Sequence, residues 1–292
     1  MTRCLFVGLS LSLFASVASG DDSVRAEKQI YKKTPQGALA IHFSFPPGWK
    51  KSDKRPAIVF FFGGGWRAGR VTQFADQATY LATRGMVAAR ADYRVLSRHK
   101  TKADKCIEDC KSAVRWLREN AGKLGINPNR IVASGGSAGG HTAAATALCK
   151  GFEATGENHK ISSRPNLLVL FNPALNTARF GSRFGSDELA RKGSPNHQLT
   201  KAAPPAIIYF GTNDFLLDSG KEYLAKAEKL GVKAELYLAK DQKHGFFNRS
   251  PWKERTLYLT DVFLSSHGYL TGKPTVKPSD EAKMTLGAKS GK

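Results

Sequence analysis

Ser137 is the residue whose surroundings point most directly to chemistry, in Gly135-Gly136-Ser137-Ala138-Gly139-Gly140. A G-x-S-x-G between a strand and a helix puts the serine on a sharp turn above the sheet, where its hydroxyl is exposed. The helix that follows presents free N–H groups and a positive partial charge where an oxyanion would develop. A Walker phosphate loop would require Gly-Lys-Ser/Thr, which is absent. A hydroxyl of ordinary acidity needs a base in contact, and that base needs a carboxylate to orient it. Asp214 follows the apolar run 206–210, and His244 comes thirty residues later in Lys243-His244-Gly245-Phe246. Nucleophile, then acid, then base is one of the chain orders in which such triads are assembled. Asp218 is the alternative acid. The backbone N–H of Gly63 or Gly64, in Phe62-Gly63-Gly64-Gly65-Trp66, with that of Ala138, would form the oxyanion hole. Trp66 and Phe246 would contact substrate.

These residues need a scaffold that brings them to one edge. Continuous apolar runs at 57–62, 86–91, 131–133, 167–171 and 206–210 read as strands buried on both faces. An alternating stretch, 38–45, precedes them, and a last strand is expected at 233–238. Helical patterns at 74–84, 105–124, 138–150, 219–230 and 253–266 intervene, so the prediction is an α/β domain with a single doubly wound, mostly parallel sheet flanked by helices. Open sheets of this kind build their sites at the carboxyl ends of the strands. The long segment 176–205 lacks a clear pattern and reads as a short lid. Residues 271–292 are Lys-, Gly- and Pro-rich with few large apolar side chains, and are expected to form a disordered basic tail.

The chain has 292 residues, 41% hydrophobic and 24% charged, which excludes a disordered, collagenous or disulfide-scaffold protein. Residues 1–20 resemble a secretory signal: Arg3, an apolar stretch too short to span a bilayer, then Ala18-Ser19-Gly20. Cleavage near Gly20 would leave a catalytic domain at 21–270, secreted or periplasmic and without stable membrane insertion. Three cysteines would then remain, Cys106, Cys110 and Cys149; an odd number excludes a complete disulfide framework and favours buried thiols, with a pairing of Cys149 to Cys106 or Cys110 left open. A formal charge of +21 attracts polyanions. For an exported protein an acidic polysaccharide and a merely solvated basic surface both stay open as readings, and nucleic acid is not expected. No H-E-x-x-H or close Cys/His cluster suggests a metal, and no cofactor is implied.

The rival reading is an NAD(P)-binding oxidoreductase. Gly63-x-Gly65-x-x-Ala68 follows a strand, and Asp92, at the end of the next, could hold a ribose. Against it, Gly69-Arg70 delay the helix that would receive the pyrophosphate, and the rival leaves Ser137, Asp214 and His244 without a role.

Over residues 55–266 the chain resembles the esterase/lipase branch of the α/β-hydrolases, near the hormone-sensitive-lipase-like and secreted carbohydrate-esterase families. The resemblance rests on the glycine triplet, Ser137, Asp92-Tyr93-Arg94, Asp109 with Trp116-Leu117, Ser194-Pro195, Pro204-Pro205, Gly211 with Asp214, and His244-Gly245. It implies hydrolysis of short acyl or aryl esters, with acetyl or feruloyl groups on a polysaccharide as one option; a serine peptidase of the same fold is an alternative. Two positions depart from the family pattern: Phe62 stands where His usually precedes the glycines, and Gly136 where Asp or Glu usually precedes the serine.

Overall fold

The computed structural model describes residues 23–290, so the expected signal segment 1–20 lies outside the described residues. Nine strands form one sheet in the order β1-β2-β4-β3-β5-β6-β7-β8-β9. They are β1 (Arg25–Thr34), β2 (Gly37–Phe45), β3 (Arg55–Phe61), β4 (Val87–Ala91), β5 (Ile126–Gly136), β6 (Leu167–Phe171), β7 (Ala206–Gly211), β8 (Ala234–Ala239) and β9 (Met284–Ser290). Strands β4, β3, β5, β6, β7 and β8 run parallel, and β1, β2 and β9 pair antiparallel at the two ends.

The uninterrupted apolar runs follow from covering both faces of this sheet. Along β3, Val59 and Phe61 enter one core cluster and Ile58 and Phe60 the other; β6 divides its residues the same way, Leu168 and Leu170 against Val169 and Phe171. A strand with helices on both sides needs apolar residues at every position, which removes the polar alternation of a half-exposed strand. The layers come from α1 (Ala75–Thr83), α2 (Leu96–His99), α3 (Ala103–Glu119), α4 (Ala138–Leu148), α5 (Gly181–Phe184), α6 (Asp187–Lys192), α7 (Pro195–Gln198), α8 (Leu217–Lys229) and α9 (Trp252–Ser266). Among the described residues no helix is long and apolar enough to cross a membrane.

Two expectations change, and one strand was not foreseen. Residues 271–292 are not simply a disordered tail, because β9 extends the sheet beyond β8 and Ala282 is fully buried. An edge strand is held by main-chain hydrogen bonds to its single neighbour, so it forms without the apolar side chains that the sequence reading looked for. The same reason hides β1 in the sequence: it is charged, only Tyr31 is buried, and Ile30 stays exposed. The 176–205 segment holds three short helices, α5, α6 and α7, in which Phe184, Ala190 and Pro195 are buried, so it is packed onto the domain rather than irregular.

Candidate active site

Ser137 lies between β5 and α4 with φ 54° and ψ −117°. This is a backbone region that non-glycine residues rarely occupy, costing roughly 1–3 kcal/mol, and it persists only where the surroundings impose it. Here they do. A Cβ on Gly139 would lie 2.1 Å from the Phe61 carbonyl oxygen, and one on Gly135 would lie 2.5 Å from Gly139, so only glycine lets α4 begin this close to β3. The Ser137 N–H donates to the Phe171 carbonyl at 2.9 Å, tying the turn to β6.

His244, on the loop after β8, places Nε2 2.8 Å from Ser137 Oγ. Its Nδ1 is 3.0 and 2.9 Å from the two carboxylate oxygens of Asp214, a buried residue just past β7. Nδ1–H therefore donates to Asp214 and Nε2 accepts the serine proton, the tautomer a general base requires. Asp218, the alternative acid, points away: its side chain is 97% exposed in the first turn of α8. Asn172, after β6 and fully buried, orients the histidine loop by accepting from the Gly245 N–H at 3.1 Å, with its amide 3.4 Å from His244 Nε2.

The glycine loop stands beside the serine, since a Cβ on Gly63 would lie 3.4 Å from Ser137 Cβ. Its donors are not equivalent. The Gly63 N–H donates to Gln73 Oε1 at 2.6 Å and is therefore already engaged. Gln73 Nε2 donates to Asn248 Oδ1 at 3.0 Å, and Asn248 Nδ2 to the Gly245 carbonyl at 3.0 Å, so one chain of hydrogen bonds joins the glycine loop to the histidine loop.

Two family models match the chain, BD-FAE over residues 45–169 and the alpha/beta hydrolase fold over residues 185–248. Lipase 2 of Moraxella sp. is 26% identical over 281 residues, covering 80% of this chain and 61% of its own. Carboxylesterase NlhH of Mycobacterium tuberculosis is 36% identical over 110 residues, 37% of this chain and 33% of its own. The chain spans between about a third and three-fifths of the length of such curated relatives. Among solved structures, the apo form of Thermogutta terrifontis esterase 2 superposes with a TM-score of 0.82 at 43% identity, covering 85% of this chain and 97% of that one. The chain belongs to the esterase/lipase branch of the α/β-hydrolases, a family of carboxylic ester hydrolases.

Both departures from the family pattern have a local reason in this chain. A Cβ on Gly136 would lie 2.5 Å from Phe247 Cζ, so the ring from the histidine loop fills the space of a carboxylate side chain. Phe62 stacks on Tyr93 with centroids 4.1 Å apart, and the Tyr93 hydroxyl donates to the Phe62 carbonyl at 2.5 Å. Arg94, the next residue, binds both oxygens of the buried Asp109 on α3 at 2.8 Å. The Asp92-Tyr93-Arg94 motif thus buttresses the glycine loop. Asp92 itself is paired with Arg98, and the next regular helix after the glycines, α1, begins only at Ala75; the dinucleotide reading has neither its ribose ligand free nor its helix in place.

Trp66 is 5% exposed rather than an open wall. Its ring packs against Phe180 and Phe184, and its Nε1–H donates to His141 Nδ1 at 3.0 Å. Phe246 is also buried, against Trp252 and Phe247, and lines a cavity of about 730 Å³ formed with His244 by residues 241–246 and 248–252. Cys106, Cys110 and Cys149 are buried free thiols, each with its pKa pushed up by desolvation. Three site residues escaped the sequence reading. Asn172 and Gln73 carry no motif, and Phe215, 67% exposed with its ring 4.8 Å from the His244 imidazole, looks in sequence like one more apolar loop residue.

Proposed function

We propose that this protein is an exported serine esterase that cleaves short-chain carboxylic esters through an acyl-enzyme. The observation that carries the reading is the unbroken hydrogen-bond chain Ser137 Oγ, His244, Asp214 at 2.8 and 2.9 Å, beside paired backbone donors. His244 Nε2 takes the serine proton as Oγ attacks the ester carbonyl. Gly64 and Ala138 N–H groups hold the oxyanion, an interaction worth about 10²–10³ in rate per donor. His244 then gives its proton to the departing alcohol, and Asp214 stabilises the imidazolium throughout. Water, deprotonated by the same nitrogen, attacks the acyl-enzyme and releases the acid.

Related structures of Thermogutta terrifontis esterase 2 contain propionate or butyrate, and others are phosphonylated by sarin or phosphorylated by paraoxon. These support a short acyl group and a phosphylable nucleophile here. Acetyl or feruloyl groups on a polysaccharide are the finer reading, supported by the export pattern at residues 1–20 and the +21 charge. Hydrolysis of p-nitrophenyl acetate and butyrate, with fluorophosphonate labelling, tests the core of the proposal. Wild type is expected to turn over and label, and Ser137→Ala to do neither; equal labelling of both would remove Ser137 from its role. Export is tested by intact mass of the extracytoplasmic protein, expected to begin near Asp21.

A further inference from the structure

We infer that a row of basic side chains across β1, β2 and β4, continued into the groove beside the glycine loop, binds an acidic polysaccharide, a polyuronate chain, at a surface separate from the triad. Lys28 of β1 pairs in register with His42 of β2, and His42 with Arg90 of β4, so the three side chains stand on one face of the sheet. Neighbouring strands lie about 4.8 Å apart, which makes the row a ladder of basic groups. Burial, then the charges of Arg90 and Lys28, hold the His42 imidazole below its usual pKa. Like charges facing one another weaken a sheet. The fold does not relieve them: among the described residues none of the three has a carboxylate in ion-pair contact, and Arg90, whose Nη1 donates to the Val71 carbonyl at 3.3 Å, keeps its Nε buried without a partner.

Against α3 the chain instead pairs its cations, since Lys32 and Arg94 both bind Asp109. Val71, which takes the Arg90 hydrogen bond, also lines a groove of about 590 Å³ with Arg70, Thr72, Asp92, Ser97 and Arg98. Asp92 is neutralised there by Arg98, whereas Arg70 is exposed and has no counter-ion among the described residues. Ala68, in the same wall, donates its N–H to the Gly64 carbonyl at 3.1 Å, so the strip reaches the glycine loop. Uncompensated cations call for an anionic ligand, and the exposed Thr72 and Ser97 hydroxyls suit one that carries hydroxyls as well. A polyuronate has both, a carboxylate and hydroxyls on each ring. Single-stranded nucleic acid uses aromatic platforms for its bases, but the exposed apolar side chain on this face is Ile30, two residues from Lys28 and aliphatic. The binding stands apart from the esterase reading; that the bound chain carries the esters rests on it.

The test measures Kd of the full chain for polygalacturonate, neutral xylan and single-stranded DNA at about 50 and 200 mM NaCl. Wild type is expected to bind polygalacturonate, more weakly at the higher salt, and not xylan. Lys28→Gln combined with Arg70→Gln, both at exposed positions, should weaken polygalacturonate binding by about tenfold. Lys229→Gln combined with Lys233→Gln removes the same charge from the exposed end of α8 and the start of β8, and should change it by less than about twofold. Both double variants are expected to keep wild-type circular dichroism and p-nitrophenyl acetate hydrolysis. Equal losses in the two variants would reduce the effect to net charge, and tighter binding of DNA, lost through Lys28 and Arg70, would give the strip to nucleic acid. Either result, or no wild-type binding of polygalacturonate, overturns the inference while the esterase reading stands. Absence of wild-type ester hydrolysis and of fluorophosphonate labelling overturns the esterase reading and leaves the binding result in place.

Discussion

His141 ties acid stability to the integrity of the oxyanion loop. It is fully buried in α4, accepts from Trp66 Nε1–H at 3.0 Å through Nδ1, and donates through Nε2–H to the Gly193 carbonyl at 2.8 Å. The neutral ring therefore joins the glycine loop, through Trp66, to the segment holding α5, α6 and α7. Desolvation pushes its pKa down from 6.5 to about 4, against a smaller opposing effect of the Gly193 hydrogen bond. A proton on Nδ1 would set two donors against each other at Trp66. Between about pH 6.5 and 4 the unfolded chain binds a proton that the folded chain refuses, so stability is complete above the upper value and declines as pH falls towards the lower. The gap between 6.5 and about 4 corresponds to about 3 kcal/mol. Urea unfolding of wild type and His141→Gln, from about pH 7 down to about pH 4, isolates this contribution, because His42, His99 and His197, also depressed, remain in both proteins. Glutamine keeps one donor and one acceptor but does not titrate. Wild type is expected to lose about 3 kcal/mol more than the variant across this range. Parallel curves would refute the reasoning.

Asp214→Asn, which preserves shape but favours the wrong imidazole tautomer, is expected to lower kcat by about 10⁴ with the fold intact by circular dichroism. Gln73→Ala frees the Gly63 N–H and cuts the link to Asn248; kcat should fall by about tenfold, less than direct loss of an oxyanion donor, with KM little changed, and Asn248→Ala should reproduce part of the effect in the same assay. Deleting residues 284–290 exposes the hydrogen-bonding edge of β8, so light scattering should detect association that the full chain does not show.

How much of this was legible depends on the range of the interactions involved. The parallel strands announce themselves because burial on two faces forces consecutive apolar residues, as in 167–171 and 206–210, whose strands begin where the sequence reading placed them. Strand β5 runs from Ile126, well before the apolar core 131–133, because a register shift against β3 carries its polar start along Arg55. The edges β1 and β9 were hidden because main-chain pairing to one neighbour leaves little trace in side-chain type.

For the site, the tight turn around Ser137 imposes glycine locally, and Asp214 and His244 follow strands whose ends the pattern marks; these were accessible to sequence alone because each requirement falls within a few residues. The tertiary structure decided what depends on contacts between distant segments. Gln73 captures a donor ten residues away and meets Asn248 from across the chain, Asn172 holds the Gly245 loop, Phe247 excludes a side chain at Gly136, and Phe215 stays uncovered beside the imidazole. No local pattern encodes such pairings, because side-chain type sets what a residue is able to bond and only the packed sheet determines which partner stands opposite it.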